Sequence, residues 1–389
     1  MGRLMSEVAI VGVGWSGFRS ISPDLSFREL MFEAAAKAYA DAGIHPRRDL
    51  DGLVVAEEDF HEGIAISDEY VPDQMGAVLK SVHTIAGDGL QALAAGVMQI
   101  AAGAARIVAV ESHSKASNIL NLPQITTLAL DPVFQRPLEV HPLFIAGLEM
   151  RRYLEATRTP IEHVARVVVK NRRNAMRNPR AAFPAELSVE DVLGSEPLAE
   201  PLTRLMAAEP ADGCIVLVLA RGDIARSLTD RPVWIRGIGW ATDSYALESR
   251  DWEGARYLRR AAELAYQQAG IRSPRRAFDL VEVDDTFAYK ELQHLEALGL
   301  CRPGEAGWWT AEGATEVGGE LPVNPSGGCL GEGHLLEASG LARVLEAVLQ
   351  LRGEAGPRQV PNAHTALVAS WRGLPTATGA VAILSREPS

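Results

Sequence analysis

Apolar residues in this chain recur as short runs, separated by stretches rich in glycine, proline or charge. Runs at 7–11, 52–56, 213–220, 279–283 and 378–384 are the length of strands covered on both faces. Two more, 106–110 and 365–369, each follow a glycine-led segment with helical spacing. Ser26 and Glu29 have the spacing of a capping box that opens an amphipathic helix, and Gly43 and Gly270 stand where helices end. Strands alternating with helices predict an α/β fold with a mainly parallel central sheet. The apolar stretch 90–110 contains Gln91, Gln99 and Arg106, so it reads as a buried helix running into a strand, not as a membrane span.

The pattern repeats. Tyr39, Ala42, Gly43 and Ile44 match Tyr266, Ala269, Gly270 and Ile271, and Asp51 aligns with Asp279 one inserted residue later. Gly87, Gly89, Ala94 and Gly96 match Gly331, Gly333, Ala338 and Gly340. Two matches in the same order imply duplication, with a first half at 1–232 and a second at 233–389. The stretch from about 115 to 205 has no counterpart. It reads as an inserted set of helices and loops, a lid or an oligomer contact.

Composition narrows the function. The 389 residues carry 38 Lys and Arg against 50 Asp and Glu, a net charge of −12. That balance argues against nucleic acid or an anionic membrane as partner. The three cysteines, Cys214, Cys301 and Cys329, form no CxxC pair, so no metal site is expected. Their scarcity, and an N-terminus without a signal-like apolar core, fit a cytoplasmic protein.

The glycine-led segments Gly87-Asp88-Gly89 and Gly331-Glu332-Gly333-His334 each read as a helix start. Helix N-termini offer unpaired N–H groups. If the halves pack about a pseudo-twofold axis, both termini converge on a pocket for an oxyanion or thioester enolate, built by Gly87, Asp88, Gly89 and Gly333. The alternative is two glycine turns that pack helix on sheet, with Asp88 as a helix cap.

These residues resemble the thiolase superfamily, most closely its sterol-carrier-protein type and the thiolase-like aldolases. The resemblance runs through VAIVGVG at 8–14, VKNRRNAMRNP at 169–179, IRGIGWATD at 235–243, VEVDDTF at 281–287 and NPSGGCLGEGH at 324–334. It implies a duplicated five-layer α-β-α-β-α thiolase-like fold, a homodimer, and action on coenzyme A thioesters as substrates with no permanently bound cofactor. It also implies a separate zinc-ribbon/OB-fold protein as partner.

The departures carry the chemistry. Where the family has its nucleophilic cysteine, this chain has Ala86. Asp284 stands at the first family histidine, while His334 retains the second. The last family element is replaced by Ala369-Ser370-Trp371-Arg372-Gly373. Asp284 and His334 are therefore the expected acid–base pair, with Asp284 favouring the imidazolium form of His334. Asp285 and Tyr289 stand beside them, Asp285 also reading as a cap for a helix from about Thr286. Cys329 is the less favoured nucleophile, and His83 a residue near the site. The arginines at 172, 173, 177 and 180 read as a solvated helix face. An enzyme without a nucleophile fits retro-aldol C–C cleavage of an acyl-CoA. Two alternatives stay open: a thiolase-type acyltransferase such as an acetyl-CoA acetyltransferase, and a non-catalytic CoA-ester or lipid-binding subunit.

Overall fold

The computed structural model describes residues 7–63, 66–244 and 246–388. Its strands are β1 (Val8–Arg19), β2 (Gly52–Ala56), β3 (Ser81–Ile85), β4 (Ile107–Lys115), β5 (Pro197–Ala199), β6 (Leu202–Thr203), β7 (Asp212–Arg221), β8 (Val233–Thr242), β9 (Leu280–Glu282), β10 (Thr365–Trp371) and β11 (Thr378–Ser385). β5 and β6 form a small ribbon. The other nine form one sheet in the order β3-β2-β4-β7-β1-β8-β11-β10-β9.

The sheet is mixed, which corrects the expectation of mainly parallel pairing. Among the strand pairs of the described residues, β2–β3, β2–β4 and β9–β10 run parallel and the rest antiparallel. Helical crossovers impose parallel pairing, but β7 is reached from β4 through the long insertion, and such an excursion can return from either end. In the middle, β1 and β8 pair only through Ala9–Trp234 and Ile10–Val233. This narrow joint lets the two half-sheets fold towards each other.

Three apolar clusters define the layers. Leu30, Ala34 and Ala38 of the Phe27–Ala42 helix pack on Val55, Ala109 and Val216. Leu93 and Val97 of the Gly89–Ala101 helix meet Leu341, Leu345 and Val348 of the Ser339–Arg352 helix, between residues of both half-sheets such as Val108 and Val368. Leu258 and Ala262 of the Arg256–Ala269 helix cover Leu367 and Val381 from the far side. The result is helix, sheet, helix, sheet, helix.

The repeat is visible at atomic detail. Tyr39 donates its hydroxyl proton to the Met75 carbonyl at 2.8 Å, and Tyr266 does the same to Leu298 at 2.8 Å. Asp51 accepts the N–H groups of Arg106 and Ile107 at the start of β4. Asp279 accepts those of His364 and Thr365 at the start of β10. Close helix-on-strand packing recurs too. A Cβ on Gly14 would lie 2.1 Å from the Ala34 carbonyl oxygen, and one on Gly239 2.2 Å from that of Ala261. Gly43 (φ 67°) and Gly270 (φ 69°) close their helices in the left-handed conformation, as their positions predicted.

Candidate functional site

A cleft of about 500 Å³, within the range of small-molecule sites, opens where β2, β8, β9 and β10 end. Ligand sites of α/β sheets commonly lie beyond carboxyl ends of strands. Its polar wall carries Glu58, His61, Thr286, His334, Glu337 and Arg372. The insertion supplies an apolar wall through Leu122, Pro123, Leu128 and Leu143, and Phe287 and Leu374 face it. Among the described residues no cysteine lines the cleft.

His334 is half-buried in this wall. Its Nδ1 accepts the Leu336 N–H at 2.9 Å, which places its proton on Nε2. Burial lowers its pKa to about 4, although Asp284 pulls the other way. The imidazolium expected from the nearby carboxylate is therefore corrected to a neutral imidazole at pH 7. Desolvation is the largest effect, and the Arg343 guanidinium adds to it by opposing the pull of Asp284.

Asp284 is buried and is not among the residues lining the cleft. Its Oδ1 accepts the Thr286 N–H at 3.0 Å, and its Oδ2 lies 3.3 Å from the Arg343 guanidinium. Asp285 does cap a helix, but not the one beginning near Thr286. It accepts the N–H groups of Cys329 and Leu330, at the start of the Gly328–Glu332 helix, and an N–H of the Asn171 amide. Burial raises its pKa to about 7, against the pull of Arg343.

Arg343 is the residue that sequence patterns did not single out. Fully buried, it donates to the Cys329 sulfur at 2.9 Å and the Ser339 carbonyl at 2.8 Å while pairing with Asp284 and Asp285. Its signal was an arginine inside an otherwise apolar helix face, SGLARVL. Cys329 is 2% exposed, and burial pushes its thiol up to about 12. A thiol in that state is a poor nucleophile.

The helix N-termini converge, but not as an open anion pocket. Asp88 caps its own helix through the Leu90 N–H at 2.9 Å and accepts the Gly340 N–H of the opposing helix at 3.0 Å. The carboxylate of Asp88 thus occupies the place expected for an oxyanion. Gly87 and Gly89 are packing positions: a Cβ would meet Gln91 at 2.1 Å and Leu341 at 2.6 Å, respectively. Gly333, at φ 106°, ends the Gly328–Glu332 helix and donates to the Cys329 carbonyl, so it does not open the second long helix, which begins at Ser339.

Other candidates lie elsewhere. Ala86 is exposed between β3 and the Gly89–Ala101 helix and does not line the cleft facing His334. Tyr289 is buried and donates to Glu149 at 2.9 Å. It belongs to a closed cluster with Lys290 and Arg250, whose charges need mutual compensation. His83 is exposed on β3 and contacts Gln99. The arginine face is not solvated throughout: Arg180 is buried between Glu332 and Glu346, and Arg172 is buried against the Phe183 carbonyl.

A family model described as thiolase C-terminal domain-like matches residues 239–386. An acetyl-CoA acetyltransferase of Methanothermobacter thermautotrophicus is 34% identical over 98% of this chain and 100% of its own. A 17-hydroxy-3-oxo-4-pregnene-20-carboxyl-CoA lyase of Mycobacterium tuberculosis is 30% identical over 96% and 98%, respectively. Among solved structures, the Ltp2-ChsH2(DUF35) aldolase superimposes with a TM-score of 0.84 at 27% identity, covering 98% of each chain.

Proposed function

The chain belongs to the thiolase superfamily, and on that premise we propose that it is an acyl-CoA C–C lyase working by retro-aldol cleavage. The observation that carries this reading is a cleft with a neutral imidazole and, among the described residues, no cysteine to act as nucleophile. The cysteines of this chain supply none: Cys329 is buried with a raised pKa, and neither Cys214 nor Cys301 lines the cleft, while Ala86, which aligns in sequence with the family's cysteine, lies outside it. Covalent acyl transfer needs an activated nucleophile. Cleavage of a β-hydroxyacyl thioester does not.

In that step the β-hydroxyl loses its proton and its oxygen becomes a carbonyl. The Cα–Cβ bond breaks, and its electron pair moves into a thioester enolate. The Nε2–H of His334 donates to the oxygen that gains charge, a neutral donor suited to an enolate. Asp284, tied to Arg343 and Thr286 away from the cleft, is not placed to take the hydroxyl proton. Its charge acts on His334 from behind. The coenzyme A thioester is substrate in this scheme, with no resident cofactor.

The similarity to the acetyl-CoA acetyltransferase supports a second reading, Claisen-type acyl transfer. A homodimer and a separate zinc-ribbon/OB-fold partner are part of the proposal. Leu120, Phe134 and Leu138 on the insertion are at least 70% exposed, and apolar surface of that kind favours contact with another chain. Among the described residues no helix is long and apolar enough to cross a membrane.

The test is incubation with β-hydroxyacyl-CoA and β-ketoacyl-CoA panels, alone and with a zinc-ribbon/OB-fold partner protein. Release of a carbonyl compound and a shorter acyl-CoA, with no acyl-enzyme by intact-mass spectrometry, is the expected result. A trapped acyl-enzyme overturns it in favour of transfer. Tight CoA-ester binding without turnover favours a binding subunit.

A further inference from the structure

The retro-aldol reading leaves the hydroxyl proton without an acceptor, and the cleft holds a second imidazole. His61 lies in the Asp59–Glu62 turn that follows β2. Glu337 lies three residues beyond His334, so His61 and Glu337 are 276 residues apart in the chain. Nδ1 of His61 is in direct contact with Oε1 of Glu337. Both side chains line the cleft and both are largely buried. Glu337 Oε2 is buried and has no hydrogen-bond partner among the described residues. The carboxylate is therefore committed to the histidine alone.

In their neutral forms the two imidazoles carry their protons on opposite nitrogens. A carboxylate can only accept, so the neutral form of His61 in this contact carries its proton on Nδ1 and has its lone pair on Nε2. His334 accepts at Nδ1 from the Leu336 N–H, so its Nε2 presents a proton. One ring is a base and the other a donor, and both line the same cleft. A carboxylate-oriented imidazole is the arrangement that makes histidine a general base.

We propose that His61 is the general base of this site and that Glu337 is its positioning residue. The inference rests on the retro-aldol reading. His61 Nε2 takes the β-hydroxyl proton as the carbonyl forms and the Cα–Cβ bond breaks. Glu337 stabilises the resulting imidazolium. The enolate then takes that proton at Cα, which gives the shorter acyl-CoA and returns His61 to its neutral form. No oxidant, reductant or co-reactant is needed. Besides Glu337, the charged or titratable groups facing His61 are Glu62 on its own turn and His334 opposite. Glu58, on the same segment, contacts Arg372 and ties the turn across the cleft.

The experiment compares wild type with His61→Gln, His61→Gly, Glu337→Gln and Glu337→Asp, each checked for a native unfolding temperature. Cleavage of β-hydroxyacyl-CoA is measured against pH. Exchange of the Cα protons of acetyl-CoA and propanoyl-CoA with D2O is measured in parallel, since it reports a base and an enolate donor without requiring cleavage. His61→Gln should lower both rates by about 10²–10⁴-fold. Exogenous imidazole should restore part of the loss in His61→Gly. Glu337→Gln should lower turnover and move the acid limb of the pH profile, and Glu337→Asp should recover much of both. Wild-type cleavage that survives His61→Gln within about 3-fold, well short of general-base magnitudes, overturns the proposal and leaves the lyase reading standing. Proton exchange that depends on His61 without any cleavage keeps the base and overturns the lyase. A wild type that neither cleaves nor exchanges overturns both.

Discussion

Asp88 and Gly340 are 252 residues apart, and the Gly340 N–H donates to the Asp88 carboxylate at 3.0 Å. The same carboxylate accepts the Leu90 N–H, so one side chain caps helices from both halves of the duplication. A Cβ at position 340 would fall 2.0 Å from Asp88 Oδ1, so only glycine permits the approach.

That contact predicts a pH signature. Burial raises the pKa of Asp88 to about 6. An unfolded aspartate titrates near 4. The stability carried by the protonated carboxyl is complete below about pH 4 and is lost as pH rises through about 6. At about 1.4 kcal/mol per pKa unit, the change is on the order of 3 kcal/mol. Urea unfolding of Asp88→Asn from pH 4 to 8 should be flatter than wild type by about that amount. Asp285, raised to about 7, should extend the same trend, and Asp285→Asn should remove its share.

Arg343→Met should be among the most destabilising single changes in the molecule. It leaves Asp284 and Asp285 buried without their cation. Removing one partner of a buried ion pair costs about 3–5 kcal/mol. The double variant with Asp284→Asn should recover part of the loss, measured by thermal or urea unfolding. A double variant no more stable than Arg343→Met would show that the charge balance is not what Arg343 supplies.

His334→Ala should lower cleavage by about 10²–10³-fold, the usual loss for one donor to a developing oxyanion. Acyl-CoA binding and unfolding temperature should change little. Because the ring is neutral above about pH 4, the His334-dependent part of the rate should stay level between pH 5 and 8. Steady-state kinetics across that range checks both statements.

Cys329→Ala should leave turnover near wild type. The native protein should also resist alkylation at all three cysteines, since Cys214, Cys301 and Cys329 are buried and burial raises each thiol pKa. Labelling with iodoacetamide before and after unfolding, read by mass, tests this. Rapid native modification of Cys329 that stops turnover would restore the covalent alternative.

The local elements and the duplication were legible in the order of amino acids alone. Gly43 and Gly270, Tyr39 and Tyr266, and Asp51 and Asp279 stood out as pairs because each acts locally, by ending a helix, anchoring it or starting a strand. Hydrophobic runs marked where strands lie, since burial on both faces leaves few polar positions. His334 and Asp284 were found through the resemblance to the thiolase superfamily, at the positions of its two histidines. Their relation was not, because burial, which sets the proton on His334, is a property of packing. The direction of strand pairing also lay beyond the sequence, since a long insertion leaves either sense open. Above all, which charges meet was settled by the folded chain. Arg343 reaches Asp284 across 59 residues, and His61 reaches Glu337 across 276. An electrostatic or hydrogen-bonded pair depends on distance in space, and neither spacing nor periodicity carries that distance once the chain has folded back on itself.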